Sequence, residues 1–194
     1  MKILAFTDIH SSKKYIEVVR KKAKHADLLV CAGDITIFEQ DIEHVIEELN
    51  NLGKKLLLIH GNHEDSTLVE VLCKDKKNIV FMHKKVFEYK GIMFIGFGGG
   101  GFSRREEEFE SWTNSLNLNN KKIVVIHHAP PFGTSLDLFG DEHHGCDSYK
   151  EFILNFQPLL SISGHFHETF GFKEIVNTTL MINPGPKGEL LEIK

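Results

Sequence analysis

Three short runs early in the chain, residues 2–7, 28–32 and 55–60, are dominated by Leu, Ile, Val and other apolar residues and end in polar clusters. A strand with one wet face alternates apolar with polar residues, so runs of this kind fit strands covered on both faces. Between them, residues 13–23 and 39–52 place apolar side chains at three- and four-residue spacing, such as Ile42, Val45, Ile46 and Leu49, with charges opposite. That is the pattern of surface helices, and a shorter one is expected over 65–73. Strands alternating with amphipathic segments predict a layered α/β fold.

Further along, residues 79–87 and 92–97 read as strands around the turn signal Lys90-Gly91, and 122–127 as a strand ending in His-His-Ala-Pro-Pro. The glycine run at 98–101 reads as a flexible loop before a helix over 104–112. Residues 132–147 read as a long loop containing Gly and His. The tail carries a helix at 148–155, a strand at 159–163, and hairpins through 170–193 with turns at Asn183-Pro184-Gly185 and Lys187-Gly188. No repeat, linker or low-complexity segment interrupts the chain, and a single domain over 1–194 is expected.

Composition narrows the classes of function. Hydrophobic residues at 41% and charged residues at 26% fit a folded globular chain. The net charge is −4, and Lys residues are mixed with Glu and Asp, so nucleic acid is not an expected partner. The N-terminus has no signal-peptide pattern, and no apolar stretch approaches the roughly 20 residues that cross a bilayer. A soluble protein is expected. Three cysteines without a Cys-x-x-Cys pair suggest neither a disulfide framework nor a thiolate zinc site, which fits a cytoplasmic location. The 12 histidines are the unusual feature, several standing beside Gly, Asp or Asn.

Four expected strands end in residue types that ligate metals: Asp8-Ile9-His10, Gly33-Asp34, Gly61-Asn62-His63-Glu64 and His127-His128-Ala129-Pro130-Pro131. A fifth cluster, Gly164-His165-Phe166-His167, comes after the strand at 159–163. Loops beyond the carboxyl ends of adjacent strands converge in one crevice, which is what a metal site assembled from distant segments requires. Carboxylate and amide oxygens mixed with imidazole nitrogens suit Mn, Fe, Zn, Co or Ni better than Ca or a pure Mg cage. Singly, each residue has a blander reading as a turn or cap residue or a surface histidine. Jointly, ligation is the better account. Strand alternation favours His128 over His127 as the ligand, leaving His127 packed or hydrogen-bonded.

In order and spacing these motifs resemble the calcineurin-like metallophosphoesterase superfamily: D-x-H, G-D, G-N-H-[DE], a His before a Pro-rich turn, and G-H-x-H, over residues 1 to about 186. The segment from His128 to Thr134 and the later Asn183-Pro184-Gly185 are similar to its small single-domain branch related to cyclic-nucleotide phosphodiesterases. The resemblance implies a four-layer α/β/β/α sandwich of two mixed β-sheets flanked by helices. It further implies that Asp8, His10 and His167 hold one divalent metal, that Asn62, His128 and His165 hold another, and that Asp34 bridges them. Such ions lie ~3.5–4 Å apart, a span one carboxylate can bridge.

The implied activity is that of a hydrolase that attacks a phosphate ester with a metal-bridging hydroxide, with Asp34 and His63 as the catalytic residues. His63, not a ligand in this reading, is placed to protonate the leaving oxygen or stabilise the transition state. The expected cofactors are two divalent ions, manganese among the candidates. The family's phosphoprotein-cleaving branches place an Arg soon after Gly-Asp; Gly33-Asp34-Ile35-Thr36-Ile37-Phe38 has none. A small phosphodiester is therefore the expected substrate, with a broad phosphomonoesterase as the alternative. A protein-binding scaffold like the superfamily's retromer subunit is disfavoured by the filled ligand positions. A homodimer is compatible with the chain's size. His143 and His144 could line the pocket or lie on a solvated loop, and Glu64 could support His63 or the next helix.

Overall fold

A computed structural model describes residues 1–193. Strands and helices alternate through the first part: β1 (Lys2–Phe6), α1 (Lys13–Ala23), β2 (Leu28–Cys31), α2 (Ile42–Asn50), β3 (Leu56–Leu58), α3 (Ser66–Cys73) and β4 (Ile79–Phe81). Next come β5 (Lys85–Tyr89), β6 (Ile92–Phe97), α4 (Glu107–Asn114), β7 (Ile123–His127), β8 (Leu138–Phe139), β9 (Glu142–His143) and α5 (Asp147–Phe156). The remaining strands are β10 (Leu160–Ile162), β11 (Lys173–Val176), β12 (Thr179–Ile182) and β13 (Glu189–Glu192).

Two sheets result. The first runs β13-β1-β2-β3-β4, parallel except where β13 meets β1. The second runs β11-β12-β10-β7-β6-β5, parallel inside and antiparallel at both edges. Side-chain alternation along the inner strands sends apolar groups to both faces. Leu4, Phe6, Leu29, Cys31, Leu56 and Leu58 pack under Ile16 and Val19 of α1, Val45 and Leu49 of α2, and Val69 of α3. Their neighbours Ile3, Ala5, Leu28, Val30 and Leu57 face Phe94, Val124, Ile126, Leu160 and Ile182 of the second sheet. On its far side Ile95, Ile123 and Val125 lie under Phe109 of α4 and under Tyr149 and Phe152 of α5. The architecture is the four-layer α/β/β/α sandwich, and this double burial is why the inner strands read as nearly unbroken apolar runs.

Two expectations are corrected. Residues 79–87 do not form one strand: β4 ends at Phe81 in the first sheet, and the chain turns through Lys84 at φ 50° into β5 of the second. Both halves are extended, so alternation alone does not reveal the change of sheet. In the tail, the hairpin between β11 and β12 closes at Asn177-Thr178, with Asn177 at φ 54°. Asn183-Pro184-Gly185 and Lys187-Gly188 instead carry the chain from the second sheet back to β13 in the first. The long loop at 132–147 also contains the small hairpin β8–β9.

Asn183 fastens this crossing to the segment that carries His165 and His167. Fully buried, it donates from Nδ2 to Phe166 O and Thr169 Oγ1, both at 2.9 Å, and its Oδ1 accepts from Gly185 N at 3.1 Å. Asn183→Ala leaves buried polar atoms without partners and is expected to lower the unfolding free energy by about 1–3 kcal/mol. Urea unfolding checks this, the midpoint falling while the slope stays constant.

Candidate metal centre

The five polar clusters meet. Asp8 and His10 follow β1, Asp34 follows β2, Asn62 and His63 follow β3, His128 follows β7, and His165 and His167 follow β10. Backbone bonds tie the loops together, with Asp8 N donating to Gly33 O at 3.0 Å, His10 N to Asp34 O at 3.2 Å and Gly164 N to His128 O at 2.8 Å. The turns are tight: Asp8, His10, Asp34 and His165 all hold left-handed backbone, with φ of 53°, 43°, 50° and 72°. Each such non-glycine residue costs of order 1–3 kcal/mol, and clustering of that strain marks a site the surrounding structure is built to hold. At Gly61 a Cβ would fall 2.0 Å from Asp34 Oδ1, so only glycine admits this approach.

Three overlapping triads each bring one ligand atom per residue within 4.8 Å of the others: Asp8, His10 and His167; Asp34, His128 and His165; and His10, Asp34 and His63. In the first, His10 Nε2 stands 3.2 Å from His167 Nε2, and Asp8 Oδ1 is 3.7 Å from His167 Nε2. In the second, Asp34 Oδ2 is 3.4 Å from His128 Nε2, while Asn62 Oδ1 is 3.0 Å from His128 Nε2 and 2.9 Å from His165 Nδ1.

Hydrogen-bond partners assign the imidazole tautomers. His10 Nδ1 lies 2.9 Å from Thr36 O and His128 Nδ1 lies 2.8 Å from Ala32 O. A carbonyl only accepts, so both Nδ1 atoms carry hydrogen and both rings turn Nε2 into the cluster, His128 toward the Asp34 and Asn62 oxygens and His10 toward His167 Nε2. Electron pairs facing electron pairs demand a proton or a cation between them, and the mixed oxygen and nitrogen donors suit a divalent transition metal. His63 is the reverse case. Its Nδ1 accepts from Phe38 N at 3.3 Å, which leaves hydrogen on Nε2, 3.8 Å from Asp34 Oδ2. Within the third triad His63 is therefore built as a donor.

Electrostatics without a cation show the same demand. Burial alone pushes the His128 pKa down, but the Asp34 carboxylate overrides it and raises it to about 9. Burial works against charge on Asp34 as well, and His128, aided by the His63 backbone N–H, nevertheless holds its carboxyl well below the usual carboxylate range. His165, desolvated and repelled by the His128 charge, is pushed down to about 4, so it stays neutral with one ring-nitrogen lone pair available. Its Nε2 is buried without a hydrogen-bond partner.

The neighbouring histidines divide cleanly. His127 is fully buried, bonded to Ala129 O at 2.6 Å and Ser161 Oγ at 2.8 Å, and stacked on Tyr149, away from the cluster. His143 braces its loop through Asp137 at 2.7 Å, and His144 stands near Phe102, 6.1 Å between ring centroids. Glu64 has a larger part than expected. Buried, it accepts from Thr36 N, Thr36 Oγ1 and Gly61 N at 2.9, 2.8 and 3.0 Å, joining the Asp34 loop to the Asn62 loop, while the cap of α3 is Asp65. Thr36 and Phe38 also escape sequence reading, because they act through backbone atoms.

A family model described as calcineurin-like phosphoesterase matches residues 1–169. An uncharacterized protein of Methanocaldococcus jannaschii, MJ1162, is 35% identical, the match covering 96% of this chain and 89% of that protein. Among solved structures, TT1561 of Thermus thermophilus superposes with a TM-score of 0.80 at 16% identity, covering 98% of this chain and 93% of the other. Phosphopantetheinyl hydrolase from Mycobacterium tuberculosis gives 0.72 at 14%, covering 95% and 88%. At such identities these two likenesses speak for the fold alone. No helix among the described residues is long and apolar enough to cross a membrane.

The His128 imidazole titrates near 6.5 in an unfolded chain and about 9 in the folded one. Its contribution to stability is thus full below pH 6.5 and lost as pH rises through 9. Chelated protein is expected to lose stability across that window, as measured by urea unfolding at several pH values. Divalent cation at about 100 times its Kd should add roughly 2.7 kcal/mol and flatten the loss, because the cation takes the proton's place.

Proposed function

The chain belongs to the calcineurin-like phosphoesterase family, and on that premise we propose that it cleaves a small phosphodiester at a dinuclear centre within a single domain. Asp8, His10 and His167 are assigned to one divalent ion, Asn62, His128 and His165 to the other, and Asp34 to both. The observation that supports this reading is the pair of triads, Asp8 with His10 and His167 and Asp34 with His128 and His165, in which backbone carbonyls hold Nδ1 of His10 and His128 so that Nε2 turns into the cluster. When bound, the two ions supply Lewis acidity that activates water and offsets charge on the phosphoryl oxygens.

The chain's own residues do the rest. Thr36 and Ala32 carbonyls lock the His10 and His128 rings by holding their Nδ1 hydrogens. Asp34, besides ligating, accepts from the His63 backbone N–H at 3.1 Å, which ties the two loops in register. His63 presents Nε2–H toward the centre, and in this reading donates a hydrogen bond to the departing oxygen of the ester as charge develops there. Phe38 N keeps the His63 tautomer.

The test is hydrolysis of bis-p-nitrophenyl phosphate against p-nitrophenyl phosphate by chelated protein reconstituted with Mn, Ni, Co, Zn or Mg. Metal-dependent cleavage of the diester, abolished in Asp34→Asn, is expected. Cleavage of the monoester alone would replace the diester reading with a phosphatase. His63→Ala is expected to keep its bound metal while kcat falls about 10²–10³-fold, the usual range for a lost hydrogen-bond donor to developing charge. Full turnover in that variant would remove the role.

A further inference from the structure

Beside the polar cluster lies a wall of rings that neither metal binding nor proton transfer uses. Phe102 is 67% exposed and Phe139 52% exposed, although both line the cleft of about 310 Å³ that also contains Asp34, Asn62 and His63. The Phe102 ring stands 4.8 Å from the His165 ring and 5.7 Å from Phe166, and Phe139 stands 6.3 Å from Phe166. Phe166 is buried, so the base of the wall is fixed.

Phe102 follows directly on a run of glycines. Gly99, Gly100 and Gly101 all take left-handed φ, and the loop is anchored by Gly98 N donating to His83 Nδ1 and Gly99 N donating to His60 O, both at 3.0 Å. A Cβ at Gly101 would lie 3.7 Å from Asn62 Cβ and 3.6 Å from His165 Cε1. The loop therefore lies over two members of the site. The sequence reads it as a flexible loop, and the structure places that loop, with Phe102 at its end, beside the site.

Among the described residues lining this cleft there is no Lys or Arg, and the charged side chain at its rim beyond the ligand cluster is Glu168. A second phosphate or a carboxylate on the substrate would find no counter-charge. Apolar rings left in water beside a polar site recover their burial when a ligand covers them. Flat walls favour flat groups, since offset and edge-to-face ring contacts add to area burial.

Resting on the phosphoesterase reading above, we propose that the portion of the ester away from the reacting phosphorus is an uncharged aromatic ring, with Phe102 as its platform and Phe139 as a second ring of the same cleft. A simple aryl group and a nucleobase both offer such a ring, and stacking serves either.

The test is calorimetric titration of metal-reconstituted protein with three non-hydrolysable probes: methylphosphonate, phenylphosphonate and a nucleoside 5′-phosphonate. Phenylphosphonate is expected to bind about tenfold tighter than methylphosphonate, as stacking of a ring on an aromatic side chain gives. That ratio should fall to within about twofold in Phe102→Ala and persist in Phe102→Tyr, which keeps a ring in place. Either order between the phenyl and nucleoside probes supports the platform and tells which ring it takes. Equal methyl and phenyl affinities, or a ratio unmoved by Phe102→Ala, overturns the platform and leaves the hydrolase reading standing. If no phosphonate binds while the metals remain bound, the platform falls, and the diester hydrolysis assay alone decides the phosphoesterase reading.

Discussion

Asp34 holds a negative charge at 2% exposure, where desolvation opposes it. An ionised carboxylate persists in such a place only with cationic or hydrogen-bonding partners, and here they are the His128 ring, the His63 backbone N–H and the His63 ring. Those groups stand after β7 in the second sheet and β3 in the first, so satisfying one carboxylate brings the two sheets' polar ends together. The left-handed turns at Asp8, His10, Asp34 and His165 are tolerated for the same reason. A cation placed among them supplies the positive charge that His128 supplies as a proton when none is bound.

Much of this is legible in the sequence. The apolar runs name the buried strands, and their polar endings name the residues that the fold draws together, because strand alternation and the geometry of parallel sheets leave few other places for them. Alternation separates His127 from His128, and the two rings do point apart, one toward Tyr149 and one toward Asp34.

The features that escape such reading depend on through-space partners. Extended backbone looks alike in either sheet, so the crossing at Phe81 to Lys85 and the return at Asn183 to Gly188 are invisible to periodicity. Glu64 looks like a helix-start residue because it stands two positions before α3, yet it bonds backward to Gly61 and across to Thr36. Phe38 matters through an N–H and Phe102 through where a glycine run puts it, and neither property belongs to a phenylalanine as a letter in a sequence.

The seam between the sheets has a consequence for how the centre is tuned. Leu57, Val30, Val124 and Ile126 meet there, and their interdigitation sets both the spacing and the angle between the sheets. Asp8, His10 and Asn62 ride on one sheet while His128, His165 and His167 ride on the other. A change of shape deep in the apolar layer, far from any polar atom, therefore shifts one set of candidate metal-holding residues against the other, so the core takes part in setting the span of the site.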